Sequence, residues 1–164
     1  IYKKFKGPVY LRLGKKGERL VNEKKFKLKA FTPNIIQKGS NVAIIAVGNT
    51  LDLSQDICDE LEKKKIDSTL ISLIFLKPLN IKFINMIFKN YKLIILVEEH
   101  SEIGGAAATI KNNLDKIKNF SKESLITFSA PDKFLGGIGD QANIRNKINL
   151  EKRKIVSKIV KTLK

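Results

Sequence analysis

The chain has 164 residues, 43% of them hydrophobic, and a formal net charge of +16. That length gives one domain with a buried core, and no run approaches the roughly eighteen apolar residues of a membrane-spanning helix. The basic N-terminus lacks a signal-peptide apolar run, so the expectation is a soluble, cytoplasmic protein with no membrane partner. Opening on Ile1 rather than Met, just before a strand-like segment, fits a piece of a longer chain.

The charge invites a nucleic-acid reading, but its makeup argues against one. Only Arg12, Arg19, Arg145 and Arg153 are arginines, lysines are spread along the whole sequence, and tryptophan is missing. Phosphate-gripping surfaces favour arginine forks and stacking aromatics, so a solvated lysine coat is expected here and no nucleic-acid partner. The single cysteine, Cys58, excludes an internal disulfide and a thiolate metal cluster. Beside Ile57 and Leu61 it reads as a small buried hydrophobe.

In chain order, Gly7–Leu13 (GPVYLRL) reads as a strand introduced by a Gly-Pro turn. Lys15 to Lys29 is charged with scattered apolar residues, as in an extended linker crossing a surface. Thr32-Pro33 resets the chain, and Asn34–Gln37 is a short apolar stretch closed by a turn-forming Lys-Gly-Ser-Asn. Val42–Val47 (VAIIAV) is apolar throughout, the signature of a strand buried on both faces. Leu53, Ile57 and Leu61 then recur at helical spacing up to three lysines suited to a helix C-terminus.

The alternation repeats. Ser68–Leu73 predicts a strand, Lys77-Pro78-Leu79 a break, and Ile81–Lys89 a helix carried by Ile84, Ile87 and Phe88. Leu93–Val97 predicts the next strand, running into Glu98, Glu99 and His100. Gly104-Gly105 opens a helix expected through Ala106–Ile117, and Leu125–Phe128 gives another strand. Asp140–Ile148 and Leu150–Lys164 both read as helices, the second with Ile155, Val156, Ile159, Val160 and Leu163 as one stripe. The fold class is therefore α/β, a three-layer sandwich around a mostly parallel, roughly five-stranded sheet.

Candidate chemical groups are few. Glu98, Glu99 and His100 lie at a strand's C-terminal edge, where open α/β sheets gather their ligand-binding groups. Neighbouring strand residues point to opposite faces, so the two carboxylates are not expected to share a cleft. A lone histidine does not make a metal site. A structural role, tying the following glycine loop or a subunit contact, is the expectation for all three. Gly104-Gly105 before a helix could hold an anion, but the spacing of a dinucleotide fingerprint or P-loop is missing, so close packing is the expected need. Gly136-Gly137-Ile138-Gly139 reads as a turn. The residues alone describe an α/β domain with no self-contained active site.

Five blocks in order carry a resemblance: GPVYLRLG at Gly7–Gly14, VAIIAVGNT at Val42–Thr50, KPL at Lys77–Leu79, VEEHSEIGGAAA at Val97–Ala108 and APDKFLGGIG at Ala130–Gly139. Together they resemble the transketolase C-terminal region, found also in deoxyxylulose-phosphate synthases and in beta subunits of 2-oxo-acid dehydrogenases. The VEEHS form with a following Gly-Gly looks most like transketolases, especially the kind split into two subunits. The resemblance implies that residues 1–33 form the last strand of a pyrimidine-binding domain plus a linker, and that residues 34–164 form the C-terminal domain. It further implies a parent enzyme transferring a two-carbon ketol unit between sugar phosphates with thiamine diphosphate and magnesium. Neither cofactor is expected in this chain, because the pyrophosphate- and pyrimidine-binding domains carry their ligands. Those domains, or a subunit bearing them, are the implied partners, in a homodimer. The arginine with which transketolases hold the sugar phosphate, just after the leading strand, is matched here by Lys15, with Arg12 as a second cation. A lysine there supplies a point charge in place of a two-pronged grip.

Overall fold

The computed structural model describes residues 6–10, 19–21, 29–136 and 138–164. Five strands form one sheet: β1 (Asn34–Gln37), β2 (Val42–Ala46), β3 (Ser68–Ser72), β4 (Ile94–Ser101) and β5 (Leu125–Ala130). Their order across the sheet is β1-β3-β2-β4-β5. β3, β2, β4 and β5 are parallel, and β1 closes one edge antiparallel to β3. The mostly parallel α/β architecture expected from the alternating pattern is the one observed.

Two helical layers follow from strand alternation. Val42, Ile44 and Ala46 of β2 face one side, where α1 (Leu51–Lys63) and α5 (Lys152–Leu163) pack with Ile57, Leu61, Ile155 and Ile159. Ala43 and Ile45 face the other, against α2 (Ile81–Asn90) and α3 (Ala106–Lys111) through Ile84, Ile87, Phe88 and Ile110. All five residues of β2 are buried, which is why that strand reads as unbroken apolar sequence. The remaining helix, α4 (Gln141–Lys147), begins at Asp140, whose carboxylate accepts the Asn143 N–H at 2.8 Å in a standard N-cap.

One expectation needs correction. The helix after Gly105 stops at Lys111 and does not reach Ile117; a short 3-10 turn at Leu114–Lys116 follows. Its cause is local: Asn113 Nδ2 donates to the Thr109 carbonyl at 2.9 Å and Asn113 N–H bonds to Ile110 O, an i−3 partner. Asparagine side chains compete in this way with the helical ladder. Of the expected leading strand Gly7–Leu13, residues 11–13 lie outside the described residues, and the exposed Gly7–Tyr10 are not part of the sheet. The five-stranded sheet already ends at β1 and β5 and takes in no partner from that segment. Of the expected linker, Arg19 bonds to Asp56 at 2.9 Å and to the Asp52 carbonyl at 2.9 Å, across the first turns of α1. No helix among the described residues is long and apolar enough to cross a membrane.

Candidate functional site

In the order β3-β2-β4, the chain leaves β2 toward one side of the sheet and later returns to build the other. The C-terminal ends of β2 and β4 are therefore the crevice where open α/β sheets place ligands. Here that crevice is filled from within. Thr50, fully buried in the turn after β2, has its Oγ1 3.0 Å from Val47 O and 2.9 Å from Val97 O, and accepts the Val47 N–H at 3.1 Å. One hydroxyl thus pins the ends of both strands together.

Above it lies Arg145 from α4, its side chain only 13% exposed. Nε donates to Glu99 Oε1 at 2.7 Å, one terminal nitrogen to the Asn49 carbonyl at 2.8 Å, and the other lies 3.5 Å from Asp52 Oδ1. Gln141 adds a bond to the same Glu99 oxygen at 3.0 Å. The planar guanidinium suits this task, since its fixed fork serves three acceptors at once. The sequence reading did not single out Arg145, which lies 46 residues from Glu99. Its only local signal is an arginine inside a short helix capped by Asp140.

Glu98 turns the other way and is 1% exposed. Its Oε2 accepts the Ala106 N–H at 2.7 Å, while Oε1 accepts the Ala107 N–H at 3.1 Å and the Ser129 hydroxyl at 2.9 Å. The first two amides of α3, otherwise unpaired, are satisfied by a carboxylate of the same chain. The approach requires Gly105: a β-carbon there would sit 2.5 Å from Glu98 Oε2. Gly104, at φ +81°, makes the left-handed turn leading into it.

The two carboxylates thus serve different elements, Glu98 the start of α3 and Glu99 the helix α4. His100 is exposed, with Nδ1 3.1 Å from Ser101 O, and bonds to neither carboxylate. Lys15 and Arg12 lie outside the described residues. Cys58 is buried on α1, and burial pushes its thiol up to about 11, so it is neither ionised nor accessible as a nucleophile near neutrality. Among the described residues no group of three His, Cys, Asp or Glu side chains could hold a metal ion. Nor does the glycine loop suit a pyrophosphate, because the Glu98 carboxylate already occupies the amides that such a group would need.

Residues 32–154 match the family described as the transketolase C-terminal domain. Among curated proteins, the 1-deoxy-D-xylulose-5-phosphate synthase of Alkaliphilus oremlandii is 28% identical over 160 residues, covering 96% of this chain and 25% of its own length. That of Francisella philomiragia is 32% identical over 133 residues, covering 75% and 20%. The chain therefore spans a quarter or less of these relatives. Among solved structures, a split-gene transketolase described as an inactive beta4 tetramer superposes with a TM-score of 0.83 at 23% identity, covering 98% of this chain and 51% of that one. Transketolase from Campylobacter jejuni gives 0.54 at 16% identity, covering 86% and 20%. A sheet of this order, with a switch point closed by its own side chains, thus accompanies a family match over most of the length: the chain belongs to the transketolase C-terminal domain family.

Proposed function

We propose that this chain is the C-terminal part of a thiamine-diphosphate-dependent, transketolase-type enzyme of the cytoplasm, which passes a two-carbon ketol unit between sugar phosphates. Within that enzyme it supplies architecture and a subunit interface, and it is inactive alone. The observation that carries the reading is the self-filled crevice. Arg145 occupies the switch point and Glu98 the α3 amides, so the positions where such a sheet would receive a ligand are already bonded. The described residues do not fit thiamine diphosphate or magnesium, and those groups belong to the pyrophosphate- and pyrimidine-binding domains. Residues 1–33 are assigned to the last strand of the pyrimidine-binding domain and its linker, with Lys15 and Arg12 as the phosphate contacts. Glu99, His100 and Gly104 hold the loop that faces the neighbouring parts.

An assembly role has support in the apolar side chains left uncovered on the two loops leaving β4 and β5. Ile103 is 64% exposed, and Phe134 and Ile138 are fully exposed, side chains that a subunit contact would cover. The split-gene transketolase described as an inactive beta4 tetramer agrees with a part that assembles without turning over substrate. A homodimer through this edge is the proposed state.

A second reading, that the parent is a deoxyxylulose-phosphate synthase, is favoured by the 28% identity to that enzyme across 96% of the chain. Calorimetric titration of the purified chain with thiamine diphosphate and magnesium tests the architectural role; the expected result is no binding, and tight binding overturns it. Joining the chain to its catalytic domains and assaying ketose-phosphate cleavage against deoxyxylulose-phosphate formation separates the two parents.

A further inference from the structure

A groove of about 640 Å³ runs between the C-terminal end of α1 and the outer side of α5. Its length is that of α5, twelve residues or about 18 Å. Two rows of side chains at i, i+4 spacing shape it. Lys152, Val156, Val160 and Lys164 form one, and Arg153, Ser157 and Lys161 the other, with Lys64 and Glu60 on the α1 side. On the far side of the second row a separate, shallower depression is lined by Lys154 and Lys158.

The groove's charge is almost wholly positive. Glu60, the one acid lining it, is bound to Lys63 at 2.7 Å. That bond, with smaller contributions from Lys152 and Lys64, holds the Glu60 carboxyl below its usual range. Lys154 is paired with Glu151 at 3.4 Å. Lys64, Lys152, Arg153, Lys158, Lys161 and Lys164 have no ion pair among the described residues. Beneath these cations the floor is apolar, made by the edges of Val156 and Val160.

From this combination we infer that the α1–α5 groove docks an acidic, amphipathic helix of a partner protein, its carboxylates meeting the lysine rows and its apolar stripe lying on Val156 and Val160. Rows at i, i+4 spacing are the ridges into which a second helix packs, and helix-in-groove recognition uses such a stripe with flanking charge. Other occupants fit less well. A second copy of a chain carrying +16 would bring like charge to like. A nucleic acid would meet one arginine, Arg153, and no aromatic ring. An anionic membrane would find little to insert, because Ile155 and Ile159 are turned into the core and only the edges of Val156 and Val160 reach the groove.

The test is fluorescence anisotropy on the full chain with a labelled synthetic helix of about twelve residues, glutamates on one face and leucines on the other, at about 0.1 M salt. Binding is expected, weakened at least about tenfold by Lys152→Glu/Lys161→Glu and by Val160→Asp. Lys82→Glu/Lys111→Glu, on exposed positions of α2 and α3 in the opposite layer, should leave it unchanged within about twofold. Hydrogen exchange on the unaltered chain gives a readout that needs no variant: the peptide should add protection in α5 and not in α2. Equal losses in both lysine pairs would reduce the effect to bulk charge and overturn the inference. So would equal affinity for a leucine-free glutamate peptide, or tighter binding of an RNA duplex of matched charge or of anionic vesicles.

Discussion

Replacing Gly105 with alanine would set a β-carbon 2.5 Å from Glu98 Oε2 and 2.8 Å from its Cδ and Oε1. The backbone is not the obstacle, since φ −78° and ψ −169° are open to any residue. The collision is with a carboxylate that three donors hold at 2.7, 3.1 and 2.9 Å in a buried position. Hydrogen bonds to a charged group contribute about 1.5 to 3 kcal/mol each. If the carboxylate gives up its two amide bonds to make room, Gly105→Ala costs about 3 to 5 kcal/mol, a large share of a domain's usual 5 to 15 or so. In a Glu98→Ala background the obstruction is gone, and the same substitution should stabilise by about 0.4 to 1 kcal/mol by restricting the unfolded chain. Urea unfolding of the four proteins, followed by circular dichroism, measures the coupling, expected to be about 3 kcal/mol or more. Costs for Gly105→Ala that agree within about 0.5 kcal/mol in the two backgrounds would refute the steric account.

Three further outcomes follow from the geometry. Arg145→Met strips the Asn49 carbonyl and Glu99 of their shared donor and should cost about 2 to 4 kcal/mol, with faster hydrogen exchange across α4; Arg145→Lys should recover less than half. Cys58, raised by burial from 9.0 to about 11, keeps its proton in the folded state after the unfolded thiol has lost it. Stability should then fall as pH rises from 9 toward 11, by at most about 2 to 3 kcal/mol, and denaturant titrations should show that part of the slope missing in Cys58→Ala. Ser54 is fully buried on α1 with no hydrogen-bond partner for its hydroxyl among the described residues; Ser54→Ala should raise stability by about 1 kcal/mol, read as a higher urea midpoint.

Much of this fold is legible because burial imposes period. β2 lies inside the sheet with helices on both faces, so all its residues are apolar, whereas α1 and α5 bury one stripe each and show it as Leu53, Ile57, Leu61 and Ile155, Val156, Ile159. Strand direction leaves no such mark. Nothing in Asn34–Gln37 says that it pairs antiparallel with β3, because side-chain alternation is the same either way. The end of α3 was obscured for a related reason: Ala106 to Ile117 has helical spacing, and the competing bond from Asn113 to Thr109 is set by local geometry that composition does not encode. The divergence of Glu98 and Glu99 follows from strand parity, but their partners do not. Ala106 lies 8 residues from Glu98, whereas Arg145 lies 46 from Glu99 and joins it only once α4 has folded back over the sheet.

The bonds between Glu98 and the start of α3 bear on how this domain answers to its surroundings. An amide pair awaiting an outside anion gives stability that climbs with the logarithm of ligand concentration, by mass action. Here the anion is covalently part of the chain and always present in equal number, so that dependence vanishes. The start of α3 should therefore be held equally well in starved and in replete solution, its anion arriving with the chain itself.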